Sequence, residues 1–146
     1  MLRICRQHHR PLLDATVSTV LRVASPPPKP RLIFDGDCGF CRRWAARLRR
    51  ATGDAVDYLP FQDETVARDH PEFSREKFGQ ALHLILPDGS VCSGAEAVFR
   101  SLAAGGVHRW LLWCYRKIPF FAGLTDWMYR QVAARRQFLS KLDRLL

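Results

Sequence analysis

The chain has no uninterrupted apolar run of the roughly 20 residues that a membrane-spanning helix needs. Its most apolar stretch, Trp110 to Tyr129, is broken by Arg116, Lys117, Pro119 and Asp126. A framework of several cysteine pairs is also lacking. Of five cysteines in 146 residues, only Cys38 and Cys41 lie close together, while Cys5, Cys92 and Cys114 are scattered. An odd, unpaired set is not the framework of a disulfide-stapled secreted domain, and a reducing cytoplasmic compartment is the expectation. Acids are scarce, 14 against 23 basic residues, for a net charge of +9. The surplus begins at the N-terminus, where Arg3, Arg6, Arg10, Arg22, Lys29 and Arg31 face one acid, Asp14. Asp14 and Arg22 interrupt the apolar core that a secretory signal requires. Import into an organelle through this Arg-rich segment is the alternative to a plain extension. No zinc finger, helix-turn-helix pattern or base-stacking motif accompanies the charge, so specific nucleic-acid binding is not expected. Internal repeats are absent.

What is present begins after Ser25–Pro30, SPPPKP. Clustered prolines cannot continue a helix or join a central strand. They divide a basic extension, residues 1–30, from a folded domain over 31–146. RLIF (31–34) reads as a buried strand, and Gly36 and Gly39 permit a tight turn. Trp44, Ala45, Leu48 and Ala51 then recur at helical spacing, up to a stop at Gly53. AVDYLPF (55–61) reads as a second strand, and strand–helix–strand implies parallel pairing. Short helices are expected within 62–80. Leu82–Leu86 and Ser90–Cys92 flank Pro87-Asp88-Gly89, the chemistry of a hairpin turn. Ser93 and Glu96 form a capping-box pattern that opens a helix with Val98, Phe99 and Leu102 as its core face. One further helix is expected over 108–118, ended by Pro119, and another from Thr125 onward. The order predicts an α/β fold, a small central mixed sheet of about four strands covered by helices, with two extra C-terminal helices. Its first six elements are in thioredoxin-like order.

The chemistry concentrates in FDGDCGFCRRW, residues 34–44. Cys38 falls at the entrance of a helix, where unpartnered N–H groups carry partial positive charge and favour a thiolate. Arg42 can add positive potential. Cys41 follows one helical turn later, within reach of a disulfide. Cys38 is the candidate nucleophile and Cys41 the resolving thiol. A carboxylate, Asp35 or Asp37, is the candidate carrier of the Cys41 proton; equally, Asp35 can cap the turn while Asp37 faces water. Two other readings compete. Zinc would use CxxC as half of a four-ligand site, but the one other close pair, His8-His9, lies in the basic tail. A magnesium phosphatase loop would use Asp35-Gly36-Asp37, but Gly39 stands where that haloacid-dehalogenase-like motif has Thr or Val.

The motif and three later blocks resemble the DCC family of thiol-disulfide oxidoreductases. FDGDCGFC matches its Asp-x-x-Cys-x-x-Cys signature at Asp35, Cys38 and Cys41. LPDGSVCSGAEAVFRSL, IPFF and YRQVAARRQFLSKL resemble its following segments, with Asp88, Gly89, Gly94, Ala97, Tyr129, Ala133 and Arg136 at matching places. The resemblance covers about 31–143. It implies a thioredoxin-like fold, dithiol chemistry without a bound cofactor, a protein or small-molecule disulfide or thiol as substrate, and an electron donor or acceptor as partner. Thioredoxins carry a proline before the third strand, and FGQALHLIL has none. The different-class alternative is a non-catalytic binding module whose CxxC holds zinc or packs structurally.

Outside the motif, Trp44 is expected in the core beneath the first helix. The dense aromatics of 110–129 are expected to glue the last two helices to the sheet. The alternative is an exposed patch for peripheral membrane contact.

Overall fold

The computed structural model describes residues 22–71 and 81–143. Residues 1–21, the bulk of the basic extension, and residues 72–80 lie outside this description. So do Cys5 and the His8-His9 pair weighed above for zinc.

Four strands form one mixed sheet in the order β2-β1-β3-β4. They are β1 (Arg31–Phe34), β2 (Asp57–Pro60), β3 (His83–Ile85) and β4 (Val91–Ser93). β1 runs parallel to β2 and antiparallel to β3, and β3 pairs antiparallel with β4. The helices are α1 (Gly39–Thr52), α2 (Glu64–Asp69), α3 (Gly94–Ala104), α4 (Arg109–Lys117) and α5 (Pro119–Asp143). This is a thioredoxin-like α/β arrangement, as the element order predicts.

Successive strand residues point to opposite faces, and here both faces are covered. Leu32 and Leu84 are fully buried on one side against Ala45 and Leu48 of α1 and Ala97 of α3. Ile33 and Ile85 are fully buried on the other, with Val66 of α2 and Val23. A continuous apolar run such as RLIF therefore suits a central strand. Val23 belongs to the segment assigned from sequence to the extension. It is buried, its N–H donates to the Gly89 carbonyl at 2.9 Å, and Arg22 bridges Ser90. The residues before the proline cluster thus complete the second face.

Three local expectations need correction. Ser93 is the N-cap of α3, but its side chain makes no capping bond. The Glu96 carboxylate instead accepts from Arg100 Nε at 2.8 Å, so the expected box is replaced by an i,i+4 ion pair. The core face of α3 is built first on its small residues, Ala95, Ala97 and Ser101, because α3 packs closely on α1; Val98 and Leu102 pack at the edge of this core. Pro119 opens α5 rather than breaking the chain until Thr125. A proline has no N–H to lose at the first helical position and its φ is already helical.

The aromatics of α4 and α5 divide. Tyr115 and Phe121 stack on Phe99 of α3, with ring centroids 5.4 and 6.0 Å apart. Trp110, Trp113, Phe120 and Trp127 are all more than half exposed. The expectation that these rings jointly bind the helices to the sheet holds only for the first group. Among the described residues no helix is long and apolar enough to cross a membrane.

Candidate active site

β1 ends at Phe34, and the chain must reverse before α1 can pack back on the sheet. Asp35, Gly36 and Asp37 make that turn. Asp35 Oδ1 accepts from the Asp37 N–H at 3.0 Å, and the Arg42 guanidinium donates to the Gly36 carbonyl at 3.2 Å. Gln62, just past β2, closes the turn from the opposite side. Its Oε1 accepts from the Gly36 N–H at 2.9 Å. Its Nε2 donates to Asp35 Oδ1 at 3.0 Å and to Asp37 Oδ2 at 3.1 Å. A Cβ on residue 36 would stand 2.8 Å from both Gln62 Oε1 and Pro60 Cβ, so only glycine fits.

This turn delivers Cys38 to the N-cap of α1 with extended backbone, φ −83° and ψ 111°. Its Sγ accepts from the Cys41 N–H at 3.3 Å. The Cys41 sulfur stands 2.8 Å from it. Cys38 and Cys41 are not joined by a disulfide, and both are half-buried. The Cys38 sulfur therefore takes the place that a Ser or Asp oxygen takes at other helix N-caps, accepting one of the orphan N–H groups of the first turn.

The sequence-derived candidates separate here. Cys38 and Cys41 come together as the spacing requires. Asp35 is half-buried and lies on the wall of a cavity that Cys41 also lines. Asp37 is exposed and points to Gln62. Arg42 is exposed and holds the turn through the Gly36 carbonyl. Gln62 was missed. It lies 27 residues from Asp35, in a polar stretch without motif character, and its one sequence signal is its place directly after β2.

The cavity, about 350 Å³, opens beside Cys41 between α1, α3 and α5. Phe40, Trp44 and Leu48 of α1 form one wall, and Val98 of α3 with Met128 and Val132 of α5 form the other. Trp44 corrects an expectation. It is 41% exposed, with Phe40 against one edge at 6.1 Å and the Arg47 guanidinium over its ring at 5.6 Å. The core of α1 is carried instead by Ala45, Leu48 and Thr52. Behind the cavity, Tyr129 of α5 lies over Gly94, whose φ of +64° suits glycine. A Cβ there would be 3.4 Å from the Tyr129 ring. Among the described residues no three His, Cys, Asp or Glu side chains cluster as metal ligands.

A family model described as DCC1-like thiol-disulfide oxidoreductase matches residues 32–142. The match begins within β1 and ends in the last turns of α5, so it takes in the dithiol turn and both walls of the cavity. Comparison with curated proteins and with solved structures returns no match. The chain belongs to the DCC1-like thiol-disulfide oxidoreductase family.

Proposed function

We propose that this family member exchanges its own dithiol with a substrate disulfide, with Cys38 as nucleophile and Cys41 as resolving thiol. The observation that carries this is the placement of the pair: Cys38 Sγ sits at the N-cap of α1 and accepts from the Cys41 N–H, with the Cys41 sulfur 2.8 Å away. The thiolate is the attacking form in disulfide exchange, and a sulfur at a helix N-cap has unpartnered main-chain N–H groups to accept from. In the first step Cys38 attacks one sulfur of the substrate and the other leaves as a thiolate, giving a mixed disulfide. In the second, Cys41 loses its proton and attacks the Cys38 sulfur, closing the protein disulfide and releasing the remaining substrate thiol. Two electrons pass from the protein dithiol to the substrate. The same steps run backwards when the protein oxidises a dithiol.

Asp35 is the better placed of the two aspartates to take the Cys41 proton, because it is half-buried on a cavity wall that Cys41 also lines, while Asp37 is exposed. Arg42 supports the thiolate at one remove, by holding the turn that presents Cys38. No step calls for a bound cofactor.

Equilibration in graded reduced and oxidised dithiothreitol under metal-free conditions, followed by alkylation and mass counting, tests this reading. One two-electron transition mapping to Cys38 and Cys41, absent in Cys38→Ser, is expected, and its potential gives the favoured direction. A pair that stays reduced throughout, or reacts only after a stoichiometric metal is stripped, would replace the reading with a non-catalytic binding module.

A further inference from the structure

We propose that the cavity beside Cys41 receives the apolar body of a lipophilic, low-molecular-weight disulfide, a substrate assignment that rests on the dithiol reading above. Three observations carry it.

The first is position. Cys41 is part of the cavity wall, and the Cys38 sulfur lies 2.8 Å beyond it. A disulfide bound with its body in the cavity would bring its sulfur atoms beside the Cys38–Cys41 pair.

The second is the state of the polar groups behind the cavity. The Leu82 N–H donates to the Tyr129 hydroxyl at 2.8 Å, and the Leu82 carbonyl accepts from the Gly94 N–H at 3.1 Å. Thr125 Oγ1 donates to the Phe121 carbonyl at 2.8 Å. An extended peptide docks on a fold by pairing its main chain with free main-chain groups, and both groups of Leu82 are already taken. A polar occupant would lose water without gaining a partner there, which is unfavourable. An apolar one loses nothing and gains the burial of its surface.

The third is charge. The carboxylate on this wall is Asp35. It disfavours an anionic disulfide such as that of glutathione, although the chain as a whole is basic. The volume, about 350 Å³, is that of a small-molecule site at the lower end of the usual range. The reaction is balanced without any other reagent: the disulfide R–S–S–R′ takes two electrons and two protons from Cys38 and Cys41 and leaves as RSH and R′SH.

The test compares stopped-flow rates of the reduced protein with benzyl 2-hydroxyethyl disulfide, bis(2-hydroxyethyl) disulfide, glutathione disulfide and a cystine-linked extended peptide. Each rate is divided by that of the same disulfide with free dithiothreitol to remove intrinsic reactivity. The benzyl compound is expected to lead by about tenfold or more, the scale of discrimination an apolar pocket provides. That lead should fall toward one in Ala133→Trp, which fills the cavity. Should that variant fail to fold, Met128→Lys, at a half-exposed position on the mouth, should reduce the lead at least threefold. Equal corrected rates, a lead for the peptide or glutathione disulfide, or a lead that survives in the folded variants would overturn the proposal. A second arm separates it from the redox reading. Benzyl 2-hydroxyethyl sulfide, an unreactive thioether, is titrated into Cys38→Ser/Cys41→Ser by calorimetry. Saturable binding weakened by Met128→Lys supports the cavity assignment even where the dithiol shows no two-electron transition. A normal transition with no binding removes the cavity assignment and leaves the oxidoreductase.

Discussion

The turn at Asp35–Cys41 and the helical hairpin of α4 and α5 are held by different forces. The turn is fixed by short polar bonds: Gln62 alone bonds Asp35, Gly36 and Asp37, Arg42 adds a bond to Gly36, and the Cys38 sulfur closes the helix entrance. The hairpin is fixed by ring contacts of Phe99 with Tyr115 and Phe121, and by the Tyr115 hydroxyl on Asp126 at 3.1 and 3.2 Å. Tyr129 adds a bond from the Leu82 N–H, while Trp110, Trp113, Phe120 and Trp127 are more than half exposed. Hydrogen bonds are directional and specify a geometry to a few tenths of an ångström. Apolar contacts specify only what is covered. The difference suits a dithiol, whose reaction needs in-line sulfur atoms, while the hairpin contributes an apolar wall through α5.

The comparison can be broken first at the sulfur. Cys38→Ser should lower disulfide exchange by on the order of 10³-fold or more, while the near-ultraviolet circular dichroism of the hairpin aromatics stays unchanged. A spectral change of the hairpin would mean that the two regions are coupled. Next in size is Gly36→Ala. The added methyl meets Gln62 and Pro60, and overpacking of this kind costs about 1–3 kcal/mol. Urea unfolding should show that loss, together with slower alkylation of Cys38. An alanine variant as stable and reactive as the parent would show that the clamp is loose.

On the hairpin side, Tyr115→Phe should cost about 1 kcal/mol, the value of one hydrogen bond. Burial pushes the Tyr115 hydroxyl well above the ordinary tyrosine range, and the Asp126 and Glu96 carboxylates push it further. A group whose pKa is raised on folding contributes stability that is complete below its unfolded value, about 10, and is lost as pH rises beyond it. The parent should therefore lose stability above about pH 10 more steeply than Tyr115→Phe, as followed by urea midpoints. Parallel curves would place the alkaline loss elsewhere, for example at Tyr58, whose pKa burial also raises. The smallest effect is expected at Trp113→Ser. That ring is 59% exposed, and a surface change of this sort moves stability by less than about 0.5 kcal/mol. A larger loss would show that the outward rings hold the hairpin after all.

Legibility in the sequence followed the same division. Cys38, Cys41 and the aspartates could be found because motif, turn and helix entrance are adjacent in the chain. Gln62 could not, since its role depends on β2 lying beside β1. Trp44 and the aromatics of 110–129 have helical periodicity, but periodicity does not say which stripe a neighbouring helix covers. Small residues on α3 let it approach α1 closely, and that approach left Trp44 at a cavity rim. Pro119 was read as a break because proline stops a helix from within, whereas at the first position it starts one.

By itself the sequence determined the α/β order, the sheet-forming runs, the cysteine pair one helical turn apart and the family, because each rests on contacts or spacings local to the chain. Only the tertiary structure decided which aspartate shares a wall with Cys41, which glutamine clamps the turn, which aromatics face solvent, and that an apolar cavity opens beside the dithiol. Those features arise where segments distant in sequence meet, and their positions are set by the packing of helices on the sheet.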